Sequence, residues 1–185
     1  MDENHNFTNM GGTLDDAVGE SCDKVARVLG IGYPGGPVID KMYYKGDRNF
    51  LQITEPKVGE YDFSFSGIKT AVINFVNQMN MKKQEFVKED LAASFLGTVV
   101  DILCKKTIKA AKEKKVKTII IAGGVAANSL LRSQLTAEAE KLGIKVCYPS
   151  MVLCTDNAAM IAEAAYYKLI NCKDKKSCFA GLDLN

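Results

Sequence analysis

The sequence predicts an α/β fold, and three consecutive segments carry that prediction. The run "VKTIIIAGG" is rich in β-branched residues and stops at two glycines, which is typical of a strand. The apolar spacing of "NSLLRSQLTAEAEKLG" then predicts a helix, and "IKVCYPS" predicts a second strand. Strand, helix and strand at this spacing indicate a parallel βαβ unit. Because the first strand lacks polar alternation, we expect it to be covered on both faces.

The segments before this unit alternate between helix and extended chain. "GGTLDDAVGESCDKVARVLGI" predicts an amphipathic helix of about five turns, with a Thr cap, an acidic first turn and an end at Gly30. "YPGGP" predicts a tight turn in which the backbone can approach a neighbour closely. A short helix, "VIDKMYYKG", follows it, and "NFLQITEP" is then predicted to be a strand.

The remaining segments are mainly helical. "YDFSFSGIKTAVINFVNQM" predicts an extended entry into a helix, and "KKQEFVKEDLAASFLGTVVDILCKKTIKAAKEKK" predicts one long helix or two abutting ones. After the second strand, "MVLCTDN" predicts a loop and "AAMIAEAAYYKLI" a final helix.

Composition limits the class of protein. The 185 residues are 47% hydrophobic and 25% charged, which predicts one compact globular unit. The net charge of +2 is too small to indicate nucleic-acid binding by itself. The six cysteines form no CxxC pair, so we expect buried, reduced thiols rather than a zinc site. No apolar run approaches the roughly 20 residues of a membrane span, and the acidic N-terminus is unlike a signal peptide, so a cytoplasmic location is expected.

Two glycines at the end of the first strand are candidates for a binding site. Gly123 and Gly124 lack Cβ atoms, and a phosphate or sugar could therefore lie against the main chain there. Asn128 would add an amide that both donates and accepts hydrogen bonds. The alternative is structural: the glycines make the turn, and Asn128 or Ser129 caps the next helix. Spacing alone favours the structural alternative.

Three aspartates raise the same question. Asp156 either caps the final helix or presents its carboxylate to a cation. Asp23 lies among apolar neighbours in a predicted helix, and a half-buried carboxylate needs a partner. Asp40, shortly after "YPGGP", is a possible second binding carboxylate.

Five motifs together resemble one family. "DDAVGESCDK", "YPGGPVIDK", "DFSFSGIKT", "AGGVAAN" and "CTDNAAMIA" occur in the order and spacing of the C-terminal half of the TsaD family. These are the tRNA N6-adenosine threonylcarbamoyltransferases, once regarded as sialoglycoprotein endopeptidases. The resemblance runs from about Gly11 to about Ile170. Five motifs in register are specific, whereas "AGGVAAN" alone would be weak evidence.

The resemblance implies a fold and a reaction. The implied fold is an RNase H-like lobe of the actin/Hsp70/sugar-kinase (ASKHA) class, with helical insertions. The implied reaction transfers a threonylcarbamoyl group from threonylcarbamoyl-AMP to the N6 amine of the adenosine next to the anticodon, in tRNAs that read ANN codons. The implied partners are tRNA and proteins of the TsaB and TsaE type, with no membrane. The alternative is a nucleotide-binding regulatory or scaffold module of the same fold without catalytic activity.

The resemblance also implies roles for individual residues. Asp23, Gly36, Asp40 and Asn128 match positions that contact the nucleoside part of the adenylate. Asp156 matches a carboxylate ligand of a divalent metal, either iron or zinc. No catalytic nucleophile is implied, and Ser64 and Ser66 are given a structural interpretation.

The chain departs from the family pattern in its first half. It has neither the HxxxH metal pair nor the SGGH phosphate segment, and its one histidine is His5, which we interpret as a surface residue. We therefore expect residues 1–185 to be the C-terminal lobe of a two-lobe protein, with the N-terminal lobe absent from this chain. For the chain alone we expect no bound metal and no transfer activity. An unpaired strand edge near residues 7–10 is a further expectation, with self-association through that edge or through the uncovered face between the lobes.

Six lysines near the end of the long helix could meet tRNA phosphates. At helical spacing they wrap around more than one face, which favours a solvated helix end. They are Lys105, Lys106, Lys109, Lys112, Lys114 and Lys115.

Overall fold

A small parallel sheet and six helices form the described residues, 7–170, of this computed structural model. Strand β1 (Thr118–Ile120) pairs in parallel with strand β2 (Lys145–Cys147), with Ile119 opposite Val146. Helix α5 (Ser129–Glu140) connects the two strands. The predicted parallel βαβ unit is therefore confirmed, and the fold is of the α/β class.

The first helix is shorter than the sequence suggests. Helix α1 (Val18–Leu29) ends at Gly30, whose φ of 64° is left-handed, but it begins after Ala17, which makes no side-chain cap. The predicted helix of five turns with a Thr cap is therefore wrong. Thr13 instead forms an isolated parallel bridge with Phe63 and lies outside the helix.

The second helix begins inside the predicted turn. Helix α2 (Gly35–Tyr43) takes both glycines of "YPGGP" into its first turn, so the tight-turn prediction is wrong. A Cβ atom at Gly35 would lie 2.5 Å from the Cys22 carbonyl oxygen and 2.7 Å from the Ala26 Cβ. The missing side chain lets α2 pack directly against the backbone of α1.

Helix α3 (Ser66–Lys82) follows an extended entry, as predicted. Its buried positions are Ile68, Val72 and Val76, which recur every four residues and form one face. That face joins the core that also contains the apolar side of α1.

One helix of 26 residues organises the core. Helix α4 (Lys88–Glu113) is continuous, which settles the choice between one long helix and two. Leu91, Phe95 and Val99 are among its fully buried residues, and α1, α2, α3 and α5 all contact it. Burial of such a side chain contributes roughly 1.5–3 kcal/mol.

The segment predicted as a strand, residues 49–56, forms turns and irregular chain instead. The Leu51 N–H donates to the buried Ser94 Oγ at 3.0 Å, so this backbone is held by α4 and not by a neighbouring strand. Residues 7–10 also form no strand, so the unpaired edge expected there is not present.

One side of the sheet is uncovered. Ile119 is buried, but Ile120 is 63% exposed, so the prediction that β1 is covered on both faces is wrong for the described residues. Helix α6 (Ala158–Ile170) has no buried residue, despite its apolar sequence. A short 3-10 segment (Met151–Leu153) lies between β2 and α6.

The cysteines follow the prediction where they are described. Cys22, Cys104 and Cys154 are buried free thiols, and Cys147 is half-buried. Burial raises the pKa of the Cys22 thiol to about 12, so it stays protonated and unreactive. Cys172, Cys178 and His5 lie outside the described residues. Within residues 7–170, no helix is long and apolar enough to cross a membrane.

Candidate functional site

A glycine turn opens onto a cavity at the carboxyl ends of both strands. Gly123 has φ 83° and ψ 176°, a conformation that disfavours residues with a Cβ atom. A Cβ atom at Gly123 or at Gly124 would meet nothing within 4 Å. The cavity has a volume of about 800 Å³, and its walls come from the strand ends, residues 153–157 and the first turns of α6. Ligands of open α/β sheets bind at this end of the strands.

Asp156 lies in the wall of this cavity and is exposed. The cap of α6 comes from its neighbour, because Asn157 Oδ1 accepts a hydrogen bond from the Met160 N–H at 3.0 Å. The capping alternative for Asp156 is therefore wrong. Within the part of the chain that the structure describes, its carboxylate has no hydrogen-bond or ion-pair partner, so it is available to a ligand.

The donor set around Asp156 does not make a complete metal site. Among residues 7–170 there is no group of three or more His, Cys, Asp or Glu side chains that could hold an ion. Glu163 lies in the same cavity wall but is the one further carboxylate there. A tightly held zinc or iron ion generally needs three or four protein ligands. Asp156 fits as one ligand, and the others have to come from elsewhere.

Asp23 has the partner that its half-buried position requires. Its Oδ1 accepts a hydrogen bond from the Gly35 N–H at 2.7 Å, so the carboxylate of α1 caps the N-terminus of α2. Its Oδ2 has no protein partner within the described residues. The next residue of α2, Gly36, is half-buried, and a Cβ atom there would meet nothing within 4 Å. One carboxylate oxygen without a protein partner therefore lies on the residue that caps α2, and an open glycine follows the capped Gly35 in the first turn of that helix.

Asp40 and Asn128 form a direct pair between α2 and α5. Asn128 Nδ2 donates to Asp40 Oδ1 at 3.0 Å, and the Ser129 N–H donates to Asp40 Oδ2 at 3.0 Å. Asn128 also caps α5, because its Oδ1 accepts from the Leu131 N–H at 2.8 Å. The structural alternative, in which Asn128 caps the next helix, is therefore confirmed. The hydrogen bond to Asp40 is a second contact of the same side chain.

The predicted site residues fall into two groups. Asp23 lies on α1, Gly36 and Asp40 lie on α2, and Asn128 caps α5; none of the four lines the cavity. Asp156 lies with Gly123 and Gly124 in the cavity wall. The 3-10 segment Gly124–Ala127 joins the two groups, since it begins at the glycine turn and ends at Asn128.

Comparison with known proteins decides the family. A family model described as TsaD, tRNA N6-adenosine threonylcarbamoyltransferase, matches residues 1–163. The chain belongs to the TsaD family. It is 80% identical over 185 residues to a protein of that name from Fusobacterium nucleatum subsp. nucleatum, with 100% of this chain and 54% of the relative covered.

Two further TsaD relatives extend the comparison. A protein of the same name from Clostridium perfringens is 51% identical over 166 residues, which cover 89% of this chain and 49% of the relative. One from Clostridium botulinum is 50% identical over 181 residues, which cover 97% of this chain and 52% of the relative. The chain spans about half the length of the curated TsaD relatives it matches.

Sequence reasoning missed a cluster built by two adjacent aspartates. Asp15 Oδ1 accepts from the Phe65 N–H at 2.8 Å and the Ser66 N–H at 3.2 Å, so this TsaD motif caps α3 from outside. Ser64 Oγ donates to the other oxygen of Asp15. Desolvation raises the pKa of Asp15, but the hydrogen bonds from Ser64, Phe65 and Ser66 outweigh it and leave that pKa below its ordinary value. The hydroxyl of Ser64 is thus a structural donor to a weakly basic carboxylate.

Asp16 completes the cluster through two lysines. Lys24 donates to its Oδ1 at 2.8 Å, and Lys69 donates to its Oδ2. The hydrogen bond from Lys24, followed by that from Lys69, lowers the pKa of Asp16 from 3.8 to about 2. The adjacent pair "DD" is the sequence signal for this cluster, but the same pair also predicts an acidic first turn of α1, and that prediction is wrong because α1 begins at Val18.

The shifted pKa of Asp16 predicts acid sensitivity. A carboxyl group whose pKa is lower in the folded state stabilises the fold above its unfolded pKa, and that stabilisation is lost as the pH falls toward the folded value. For Asp16 this window lies between about pH 4 and pH 2. We expect the free energy of unfolding, measured with urea across this window, to fall less steeply in Asp16→Asn than in wild type. Equal slopes would contradict the role of Asp16.

Half of the α4 lysines considered for tRNA contact already have partners in the chain. Lys105 pairs with Glu55 at 2.8 Å, and Lys109 pairs with Glu60. Lys106 is buried and donates to two main-chain carbonyls, of Gly59 and Asp62. These lysines are paired with groups of the same chain. Their contacts therefore favour a structural role for this helix end over binding of tRNA phosphates.

Proposed function

We propose that this chain supplies the C-terminal part of the nucleotide and metal site of a threonylcarbamoyl transferase. The full-length enzyme would transfer the threonylcarbamoyl group from threonylcarbamoyl-AMP to the N6 amine of the adenosine next to the anticodon in tRNAs reading ANN codons. The observation that carries the proposal is the TsaD match over residues 1–163, which contains both groups of candidate site residues. The open glycine turn at the carboxyl ends of two parallel strands supports it.

The proposal includes the domain organisation. Residues 1–185 would be the C-terminal, RNase H-like lobe of an ASKHA fold, and the N-terminal lobe would lie in the part of the relatives that this chain does not cover. The parallel βαβ unit supports this assignment, as does the chain's coverage of 54% of its Fusobacterium relative. The uncovered face of β1 and the exposed apolar residues of α6 are consistent with a missing covering element.

Within this lobe we assign nucleoside binding to Asp23, Gly36, Asp40 and Asn128. The unpartnered Oδ2 of Asp23 can accept a hydrogen bond from a ribose hydroxyl or from an amine. The open space at Gly36 lets a flat ring or a sugar approach the first turn of α2. Asp40 and Asn128 present a polar group at the N-terminus of α5.

The chemistry required of these residues is mainly positioning. The carbamoyl carbon of the adenylate is already activated by its phosphate leaving group. The N6 amine forms the new C–N bond, the C–O bond to phosphate breaks, AMP leaves with the electron pair, and the amine loses a proton. Residues that hold the nucleoside in place convert this into an effectively intramolecular reaction. Gly123 and Gly124 would let the phosphate lie against the main chain near the cavity.

We propose one divalent metal, iron or zinc, for the full-length protein, with Asp156 as the ligand that this lobe offers. Its exposed, unpartnered carboxylate supports that role, and the described residues supply too few further ligands to complete the site. For this reason no step of the transfer is assigned to the metal. We also propose that the isolated chain does not catalyse transfer, that the full-length protein works in the cytoplasm with TsaB and TsaE type partners, and that the isolated chain is able to self-associate.

Nucleotide binding by the chain tests the proposal. Calorimetric titration with AMP is expected to detect weak binding that Asp23→Asn reduces by roughly tenfold, since a hydrogen bond to a charged group contributes about 1.5–3 kcal/mol. Asn at this position can still accept from the Gly35 N–H, so the cap of α2 is retained. Glu60→Gln removes an exposed carboxylate that pairs with Lys109, and it is the matched control for the loss of charge. The same isotherm for wild type and Asp23→Asn would count against the assignment.

A transfer assay separates the enzyme from the alternative scaffold module. The full-length protein, together with TsaB and TsaE type partners, is incubated with threonylcarbamoyl-AMP and tRNA, and modified adenosine is measured. We expect product, and we expect little or none from Asp156→Ala. A full-length protein that binds AMP and modifies no tRNA would support the regulatory module instead.

A further inference from the structure

Arg132 connects three segments around the cavity. Its Nε donates to the Ala126 carbonyl oxygen, and its Nη2 donates to the Pro149 carbonyl oxygen at 3.0 Å and to Cys154 Sγ at 3.2 Å. The guanidinium carbon lies 4.3 Å from the centre of the Tyr148 ring, which is a cation–π contact. One side chain therefore holds the 3-10 segment after the glycine turn, the chain that follows β2 and the loop before α6, and none of these partners belongs to α2.

The loop that carries Asp156 depends on these contacts. Cys154 is 3% exposed, and it is the one buried residue among the described residues 148–170. Two hydrogen bonds join residues 148–157 to α5, and both come from Arg132. The hydrogen bonds of Asn157 stay within the loop or lead into α6. Because Asp156 follows Cys154 by two residues, the place of its carboxylate depends on where Cys154 is held.

Arg132 acts from behind the cavity wall. Pro149, Cys154 and Asp156 line the cavity, whereas Arg132 does not. Its Nε and Nη2 already donate to groups of the chain, and its side chain is half-buried. A role as a phosphate ligand in the cavity therefore fits the geometry less well. A planar guanidinium can serve several acceptors and stack on an aromatic ring at once, which the single ammonium group of lysine cannot do.

We propose that Arg132 is a positioning residue: it holds the Cys154 loop against the 3-10 segment that follows the glycine turn, and so fixes the place of the Asp156 carboxylate in the cavity wall. The inference rests on the proposed function only in what Asp156 then does, which is to offer an oxygen to a divalent metal. Groups that hold a metal ligand in place typically change metal affinity by about 10- to 100-fold without touching the ion.

Three substitutions in the full-length protein test this role. Arg132→Gln removes the charge, the fork of donors and the cation–π contact together. Arg132→Lys keeps the charge but cannot serve all the acceptors, so it should lie between wild type and Arg132→Gln in each readout. Arg27→Gln is the matched control, because it makes the same chemical change at an exposed arginine of α1.

The first readout is alkylation of cysteines by N-ethylmaleimide under native conditions, followed by peptide mass spectrometry. We expect Cys154 to react roughly tenfold faster in Arg132→Gln than in wild type, because the loop opens more often when its hydrogen bonds to a charged donor are lost. Cys22 and Cys104 are buried and serve as internal references. Their rates should stay unchanged, since the expected opening is confined to the loop.

The second readout is the affinity of the full-length protein for Zn²⁺, measured by competition with a chromophoric chelator. We expect Arg132→Gln to bind Zn²⁺ at least about tenfold more weakly than wild type, and Arg27→Gln to bind it equally well. Asp156→Ala gives the affinity that remains when the carboxylate itself is removed.

Three results would overturn the inference. If Cys154 in Arg132→Gln reacts at the wild-type rate, Arg132 does not hold the loop. If Cys22 and Cys104 react faster in step with Cys154, the substitution loosens the whole fold. If Cys154 alone reacts faster but Zn²⁺ affinity is unchanged, the loop is held without positioning Asp156. Should Arg132→Gln fail to fold, Arg132→Lys is judged by the same three results.

The two readouts also separate this inference from the proposed function. If wild type binds no Zn²⁺ but Cys154 alone reacts faster in Arg132→Gln, the metal role proposed for Asp156 fails. The attachment of the loop by Arg132 is then still supported.

Discussion

Gly35→Ala is expected to lower the free energy of unfolding by about 1–3 kcal/mol, the range typical of overpacking in a tight interior. The new methyl group would lie 2.5 Å from the Cys22 carbonyl oxygen and 2.7 Å from the Ala26 Cβ, and both belong to the rigid helix α1. Relief requires α2 to move away from α1. That movement would also stretch the hydrogen bond between the Gly35 N–H and Asp23.

Gly36→Ala is the matched control, one residue further along the same helical turn. Its methyl group would meet nothing within 4 Å, so stability should stay the same or rise by about 0.5–1 kcal/mol through helix propensity. AMP affinity should nevertheless fall, because the methyl group occupies space assigned to the nucleoside. Urea unfolding and calorimetry together check both variants. Equal stabilities for the two would show that α1 and α2 are less closely packed than described.

Phe95→Ala is expected to have the largest effect on stability, about 3–5 kcal/mol. Phe95 is 0% exposed and lies in the N-terminal third of α4, which contacts four of the other helices. Its removal would leave a void between α4 and its neighbours that the surrounding helices can fill only in part. Because net stabilities of whole domains are about 5–15 kcal/mol, this loss is a large fraction of the stability of the chain.

Phe7→Ala provides the control with the same chemical change. Phe7 is 82% exposed, and its truncation should alter the free energy of unfolding by no more than about 0.5 kcal/mol. Both variants are compared by urea unfolding followed by circular dichroism. A loss below about 1 kcal/mol for Phe95→Ala would mean that the core collapses around the missing ring.

The periodic parts of the fold could be predicted from sequence, and the irregular parts could not. The pattern around β1, α5 and β2 identified a parallel βαβ unit because β-branched runs and helical spacing are local signals. Residues 49–56 have the same β-branched and aromatic character but form no strand. Their backbone is bound by Ser94 of α4, a contact 43 residues away that local propensity does not reveal.

In the candidate site, too, the sequence indicates local features but not the tertiary contacts. Asp23 was predicted to need a partner and has one, but the partners of Asp23, Asp40 and Asn128 all depend on tertiary structure. The donor to Asp23 is a main-chain N–H of another helix, and Asp40 lies 88 residues before Asn128 in the sequence. The sequence does not show whether Asp156 or Asn157 caps α6, because Asp and Asn are both favoured capping residues and the two are adjacent. In the structure Asn157 is the cap.

Capping across elements has a consequence for the cooperativity of folding. Three helices depend on a carboxylate from elsewhere in the chain for their first N–H groups: α2 on Asp23, α3 on Asp15 and α5 on Asp40. A peptide that contains one of these helices alone lacks that carboxylate, so its first turn would fray. In native-state hydrogen exchange, the N–H groups of Gly35, Ser66 and Ser129 should therefore exchange through openings that separate whole helices and not through independent fraying of each end.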